Sequence, residues 1–422
     1  MELKALLEAA VAQHPAWPAA ERGNLLGECD LIQSFLFYND ITQMSRLHRS
    51  ASRQMSRPAV TLRNSGSWTF GSPSVLMMYY RAPGELGKEL AEMYECMPHY
   101  YKITNGHGQG AELLMDAEAA YLQGAWEKAT VLLERARADA AGQENMTLCC
   151  DFLALRLALC GKGKEGYDFA AKRAALLQKH DGVQVHLLES IAAYFYALQG
   201  RPEQAPELFR EHKLAEVSFF GPCRPMMSLI EQQVWLAQGE YVKVIAHSEG
   251  LLRRCEAMHY GLVGLQARIQ LAAAQLRFGQ RAEARAALAA ALLDAVQDDF
   301  WVLFVEQYPA LAPLLEGEDW AASEPRLGPF VARILPAGRA FAARLGLPAP
   351  APELLLTDRD RELARLVAGR CTNKEIAAAL YLSEGTVKQY INQLYAKLDM
   401  GGDPRTRRAR LAEWYQKNAP RN

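Results

Sequence analysis

The chain has 422 residues, with 47 Lys or Arg against 48 Asp or Glu, a formal net charge of -1, 50% hydrophobic and 23% charged residues. That length exceeds what one hydrophobic core organises and predicts at least two domains, while the composition excludes extended disorder. No apolar run reaches the roughly 18 residues of a membrane span. Glu2, Lys4 and Glu8 do not suit a signal peptide, so no membrane association and a cytoplasmic location are expected. The eight cysteines, at positions 29, 96, 149, 150, 160, 223, 255 and 371, form no CxxC pair and no metal-binding spacing with the nine histidines. Set among apolar neighbours, they are expected to pack as free, small hydrophobes, with no metal and no cofactor bound.

Up to residue 345 the chain is rich in Ala, Leu, Glu and Arg, lacks alternating apolar patterns, and predicts helices almost throughout. Ser56 to Gly87, with Asn64-Ser65-Gly66-Ser67 and Gly71-Ser72-Pro73, carries enough turn formers to predict an irregular excursion. Beyond it, glycines recur in similar surroundings at Gly124, Gly161, Gly200, Gly239 and Gly279, at intervals of 37, 39, 39 and 40 residues. Five residues after each stands Ala129, Gly166, Ala205, Val244 or Ala284. Each unit therefore predicts helix, turn, helix: the glycine permits a tight turn, and the small residue lets the second helix close on the first.

These units, of about 39 residues and clearest over 111–315, resemble degenerate tetratricopeptide-like hairpins, with Trp126 and Tyr241 at that family's aromatic position. Stacked hairpins imply a solenoid whose concave surface takes a peptide, a partner helix or a small ligand. Trp126, Tyr194, Tyr196, Trp235 and Tyr241 are expected in its core rather than lining a groove. Two glycine-rich stretches are expected to be turns only. Gly161-Lys162-Gly163-Lys164-Glu165-Gly166 is followed by Tyr167 where a phosphate-binding loop needs lysine. Gly106-His107-Gly108-Gln109-Gly110 precedes no strand, and His107 is expected to have no partner.

Pro348, Pro350 and Pro352 mark residues 346–353 as a linker between a helical sensor or interaction domain, 1–345, and a second domain, 354–422. Thr357 predicts an N-cap for a helix carrying Leu363, Leu366 and Val367 and ended by Gly369. Thr372 and Glu375 predict a capping box before Ile376, Ala377 and Leu380. Ser383 caps a third helix whose Val387, Ile391, Leu394 and Leu398 form one buried stripe, leaving Lys388, Gln389 and Asn392 on the opposite face. Two short helices joined by a tight turn, the second presenting long donors, form the helix-turn-helix arrangement that reads the major groove. Lys388 reaches a phosphate or guanine edge, Gln389 and Asn392 pair with adenine, and the amides near Asn373 and Thr386 hold phosphates. A fourth helix is expected over 405–417. Residues 353–422 hold 13 Lys or Arg against 9 Asp or Glu, and Arg405, Arg407, Arg408 and Arg410 cluster where phosphates are neutralised.

The stretch LTDRDRELARLVAGRCTNKEIAAALYLSEGTVKQYINQLYAKL resembles the LuxR-type helix-turn-helix of bacterial transcription regulators. The resemblance implies backbone contacts from Thr372, Asn373 and Lys374 and groove contacts from Thr386, Lys388, Gln389 and Asn392. Ser383 and Arg405 complete the expected DNA-binding set. It also implies a homodimer on DNA through the fourth helix. Tyr390 stands where many relatives carry histidine, and Gly401-Gly402-Asp403-Pro404 lengthens the loop before that helix. SFLFYNDITQMSRLHRSA, SWTFGSPSVLMMYYRAPGEL and KITNGHGQGAE resemble the helical region of MalT-type LuxR regulators, whose nucleotide-binding domain is expected to be missing here.

No HExxH, GxSxG or paired acid site occurs, so no enzyme and no catalytic residue are expected. The expectation is an all-α chain: a tetratricopeptide-like helical-hairpin solenoid followed by a small helix-turn-helix domain. It would act as a bacterial transcription regulator whose partners are double-stranded promoter DNA, a small-molecule or protein effector on the repeats, and RNA polymerase. The alternative is a solenoid scaffold for a partner protein with only weak, nonspecific DNA binding.

Overall fold

A computed structural model describes residues 2–60, 72–179, 182–217, 221–347, 358–398, 400 and 403–418. Among them every regular element is helical and no strand occurs, the all-α class that the sequence predicts. The chain opens with α1 (Glu2–Gln13), α2 (Ala19–Ser34), α3 (Ile41–Gln54), the short α4 (Val75–Tyr79) and α5 (Leu86–Thr104). The repeat region follows as α6 (Ala111–Leu122), α7 (Trp126–Asp139), α8 (Glu144–Leu159), α9 (Phe169–Gln178), α10 (Gly182–Leu198) and α11 (Glu207–Arg210). It continues through α12 (Arg224–Gln238), α13 (Tyr241–Met258), α14 (Gly261–Phe278) and α15 (Arg281–Ala295). After it come α16 (Val302–Glu306), α17 (Tyr308–Leu315), α18 (Trp320–Ser323) and α19 (Leu327–Arg344). The last four helices are α20 (Asp358–Ala368), α21 (Asn373–Leu380), α22 (Glu384–Lys397) and α23 (Pro404–Asn418).

All five repeat glycines adopt positive φ, between 67° and 94°, where a Cβ is disfavoured. The residue after each closes the turn by donating its amide five positions back, as Ala125 does to Ala120 O at 2.8 Å and Gln280 to Gln275 O at 2.8 Å. Ala129, Ala205, Val244 and Ala284 are buried as expected, whereas Gly166 is exposed. Helix-turn-helix units form at Gly124, Gly239 and Gly279. At Gly161 the second helix starts only at Phe169, and at Gly200 it is broken into a 3-10 turn, Pro202–Gln204, and the four-residue α11. Pro202 and Pro206 account for the break, because each removes an amide donor and crowds the preceding turn.

The first helices of successive units, α6, α8, α10, α12 and α14, pack side by side in a row. The sequence reading extends the repeats to 315 and leaves a concave surface for a partner. Instead, the chain lays two of its own segments against the row. Residues 72–80 touch both α6 and α14: Leu76 N donates to Glu118 Oε2 at 2.7 Å, and Gly261 N donates to Tyr80 O at 3.0 Å. Residues 298–315 run along the same helices. Trp301 Nε1 donates to Gln123 O at 2.8 Å, and its ring fills the space that a Cβ at Gly124 would need.

Glu306 sits at the centre of this insertion. Arg156 donates to it from Nε at 2.8 Å and from a terminal nitrogen at 3.0 Å, with side-chain exposures of 3% and 2%. Tyr121 Oη donates at 2.7 Å and Tyr194 Oη at 3.4 Å. Gln307 Nε2 and Gln270 Nε2 both donate to Gln233 Oε1, at 2.6 and 3.0 Å. Each of the five first helices thus sends a polar side chain into one buried network.

Tyr194 and Trp235 are core residues, as read from sequence, while Trp126, Tyr196 and Tyr241 are half-buried. All eight cysteines are free, and five are buried. His107, expected to stand alone, faces Tyr100 Oη at 3.0 Å, and Gln143 pins its loop by bonding Gly108 N and Gly106 O. Asn64 to Gly71 lie outside the described residues, as do Thr357 and the linker from 348 on. One buried cluster runs from Leu31 to Phe341 and a second, smaller one from Leu363 to Leu411.

Replacing Arg156 by Met or Glu306 by Leu alone leaves an uncompensated buried charge and is expected to cost about 3–5 kcal/mol in urea unfolding. The double replacement is expected to cost much less than the sum of the two. Burial pushes the Glu118 carboxyl up to about 7 from an ordinary value near 4.5, against the opposing hydrogen bond from the Leu76 amide. The unfolded chain then ionises before the folded one, so this residue's contribution is full below pH 4.5 and is lost as pH rises to 7. Glu118→Gln is expected to remove that loss, about 3 kcal/mol between pH 4.5 and 8, measured as the difference between the two unfolding curves.

Candidate nucleic-acid interface

The last four helices enclose a small core of Leu363, Ala364 and Val367 from α20, Ile376 and Ala377 from α21, Val387, Ile391 and Leu394 from α22, and Leu411 from α23. The expected stripe on α22 is buried in its first three members, and Leu398 packs against the core half-buried. Helical geometry then fixes the other face: Lys388, Gln389 and Asn392 are exposed.

The capping box predicted at Thr372 forms. Glu375 N donates to Thr372 Oγ1 at 3.2 Å, and Thr372 N donates to Glu375 Oε2 at 2.6 Å. The Thr372 amide and hydroxyl hold the Glu375 carboxyl below the usual carboxylate range. Thr372 and Lys374 are exposed on the first turn of α21, and Asn373 is half-buried. The two helices are joined through Tyr381, whose φ of 56° makes the turn and whose side chain is 96% exposed. At the start of α22, Thr386 N donates to Ser383 Oγ at 3.1 Å and the two hydroxyls lie 2.8 Å apart. Ser383 and Thr386 therefore fix the helix start, with lone pairs still open to solvent.

α20 stops at Ala368, directly before Gly369 as expected, and the left-handed conformation of the turn falls to Arg370, at φ 61°. The fourth helix, expected over 405–417, runs from Pro404 to Asn418 behind Asp403, which accepts the Thr406 amide at 3.2 Å. Arg405 lies in its first turn, and its side chain is outside the described residues, as are Gly401 and Gly402.

The arginine cluster divides its labour. Arg408 donates to Cys371 O at 2.5 Å and to Asn373 Oδ1 at 3.1 Å, tying α23 to the entry of α21. Arg407 lies 5.1 Å from the Tyr395 ring centre. Sequence reasoning missed this structural use of two arginines, because charge clustering does not reveal which side chains turn inward. It also left Tyr381 unremarked, although its place between two helix signals marks the turn. The exposed set, Thr372, Lys374, Ser383, Lys388, Gln389 and Asn392, lies along the starts and outer faces of the two helices, where unpaired first-turn amides also point.

Comparison with known proteins bears on this part of the chain. The family described as bacterial regulatory proteins, luxR family, matches residues 354–406. The DNA-binding transcriptional activator DevR/DosR of Mycobacterium tuberculosis is 42% identical over 65 residues, 15% of this chain and 29% of that protein. In Bacillus subtilis, the uncharacterized transcriptional regulatory protein YhcZ is 43% identical over 63 residues, 15% of this chain and 28% of its own length. YvfU, similarly described, is 40% identical over 75 residues, 18% and 36%. The chain thus spans between 28% and 36% of the length of these relatives. No solved structure matches it. Helix order, capping box and exposed donors agree with the family match, and residues 354–406 are a LuxR-family helix-turn-helix.

Proposed function

We propose that the chain is a bacterial transcription regulator that binds promoter DNA through a module of residues 354–422 and receives a signal through helical repeats in residues 1–345. The observation that carries this reading is the face of α22. Val387, Ile391 and Leu394 anchor it to the core, and Lys388, Gln389 and Asn392 stand free on the opposite side. In this reading Lys388, Gln389, Asn392 and Thr386 face base edges and nearby phosphates. Thr372, Asn373, Lys374, Ser383 and Arg405 hold the backbone. The relatives described as transcriptional regulators match this chain over 63 to 75 residues only, so in this reading the repeats supply what is particular to it. Homodimerisation on DNA through α23, contact with RNA polymerase, and kinship of the repeats with MalT-type regulators lacking a nucleotide-binding domain extend the same reading. Family and fold both point to binding rather than catalysis.

Selection of genomic fragments by the full chain at fixed salt tests it. The chain is expected to enrich one short site. Lys388→Ala is expected to weaken that site by about 10- to 100-fold and to flatten the preference between sites. Lys374→Ala is expected to weaken all sequences alike and to lower the salt slope by about one. Enrichment of no site by the full chain sinks the reading.

A further inference from the structure

A cavity of about 280 Å³ opens at the turn end of the first-helix row, between the third, fourth and fifth repeats. Ligand sites commonly measure about 300–1,000 Å³, so this one suits a small metabolite. Its apolar wall comes from Ala197, Leu198, Leu236 and Ala237, and its polar wall from Gln233, Glu306 and Gln307, each more than nine-tenths buried. Buried amides and carboxylates that line an open space, rather than packed hydrocarbon, mark a surface built to orient a polar guest.

The charges in this wall identify the guest. Glu306 is matched by the two-pronged bond from Arg156 and by the Tyr121 and Tyr194 hydroxyls, so its charge is already met. Arg277, from α14, also lines the cavity. It gives one terminal nitrogen to Pro309 O at 3.1 Å, and among the described residues no carboxylate pairs with it. The guanidinium keeps further donors in a planar fork that fits a carboxylate. The cavity therefore presents one unmatched positive charge, neutral amides from Gln233 and Gln307, and a hydrocarbon wall.

The position of the cavity gives the guest a consequence. Gly346 and Leu347 end α19 with paired turn bonds, to Ala343 O at 3.2 Å and Ala342 O at 3.0 Å. The turn folds Leu347 back over Gly200, where its Cδ2 lies 2.8 Å from the position of a Cβ, and Leu347 forms part of the cavity wall. Eleven residues later α20 begins. A molecule in the cavity touches the residue from which the chain departs towards the DNA-binding helices.

We propose that this cavity binds a small monocarboxylic acid with an apolar body, its carboxylate on Arg277 and its body under Leu347, and that occupancy sets the departure of the linker. The regulatory half of this proposal rests on the reading of the chain as a signal-dependent DNA-binding protein. The binding half does not.

The test uses the full chain and a set of straight-chain acids from propionate to octanoate together with benzoate, each beside its neutral amide, in titration calorimetry. At least one acid is expected to bind with Kd below about 1 mM, and its amide about tenfold or more weaker. Arg277→Met is expected to bring the acid down to the level of the amide. Ala237→Phe, which fills the cavity from a half-exposed position without touching the polar network, is expected to abolish binding of both. Binding by no acid in the set, equal binding of acid and amide, or undiminished binding by Ala237→Phe overturns the site. Acid binding that changes neither affinity for the selected DNA site nor proteolysis between residues 346 and 357 leaves the site standing and overturns the regulatory reading of the repeats.

Discussion

A guanidinium and a carboxylate taken out of water together have little but one another to neutralise them, and that constraint sets where the inserted segment of this chain lies. Arg156 and Glu306 are 150 residues apart in sequence, and neither is more than 3% exposed. Sliding residues 298–315 along the row of first helices by one turn would strip both charges of their partners, at a cost of at least about 3–5 kcal/mol. The pair specifies register more than it adds stability. Tyr121, Tyr194 and the glutamines of α12 and α14 extend the specification to the other repeats, because each adds a bond to the network around that pair. The position of the inserted segment in turn brings Glu306 and Pro309 to the cavity and helps to shape it.

The two parts of the chain differ in how they use charge. In the repeats Arg156 and Glu306 are buried and mutually satisfied, which fixes the interior around them. In the last four helices Arg365, Arg370, Lys374, Lys388 and Arg410 are exposed, whereas Arg407 and Arg408 brace the last helix. In the proposed reading, DNA meets a rigid presentation of Lys388, Gln389 and Asn392, since α22 is held from behind by three buried side chains and at its start by Ser383. Rigidity matters there because base readout depends on bidentate geometry, which a loosely held helix cannot keep.

What the sequence discloses about this protein is what sequence-local physics controls. The five turn glycines, the Thr372 and Glu375 capping box, the Ser383 cap and the apolar stripe of α22 are each decided by residues within a turn or two of one another, and each forms. The broken second helix after Gly200 was equally legible, in Pro202 and Pro206, but the regular glycine spacing outweighed it. The insertion of residues 72–80 and 298–315 was not legible. Glu306 and Gln307 carry no periodic signal, and their partners come from helices 74 to 185 residues away. The cavity at Arg277 was hidden for the same reason, since it exists only where repeats three to five meet the end of α19.

The closure of the row by residues 72–80 has a further effect. An open stack of hairpins frays from its outermost units, because those have a neighbour on one side only, and it melts in steps from the ends inward. Here the first and fifth units both hold the same segment, through Leu76 on Glu118 and Tyr80 on Gly261, and the segment at 298–315 spans the units between. No hairpin is left with a free flank on its first helix. The repeats are thereby changed from a linear array, in which each unit answers to its neighbours, into a closed body that loses its order as a whole.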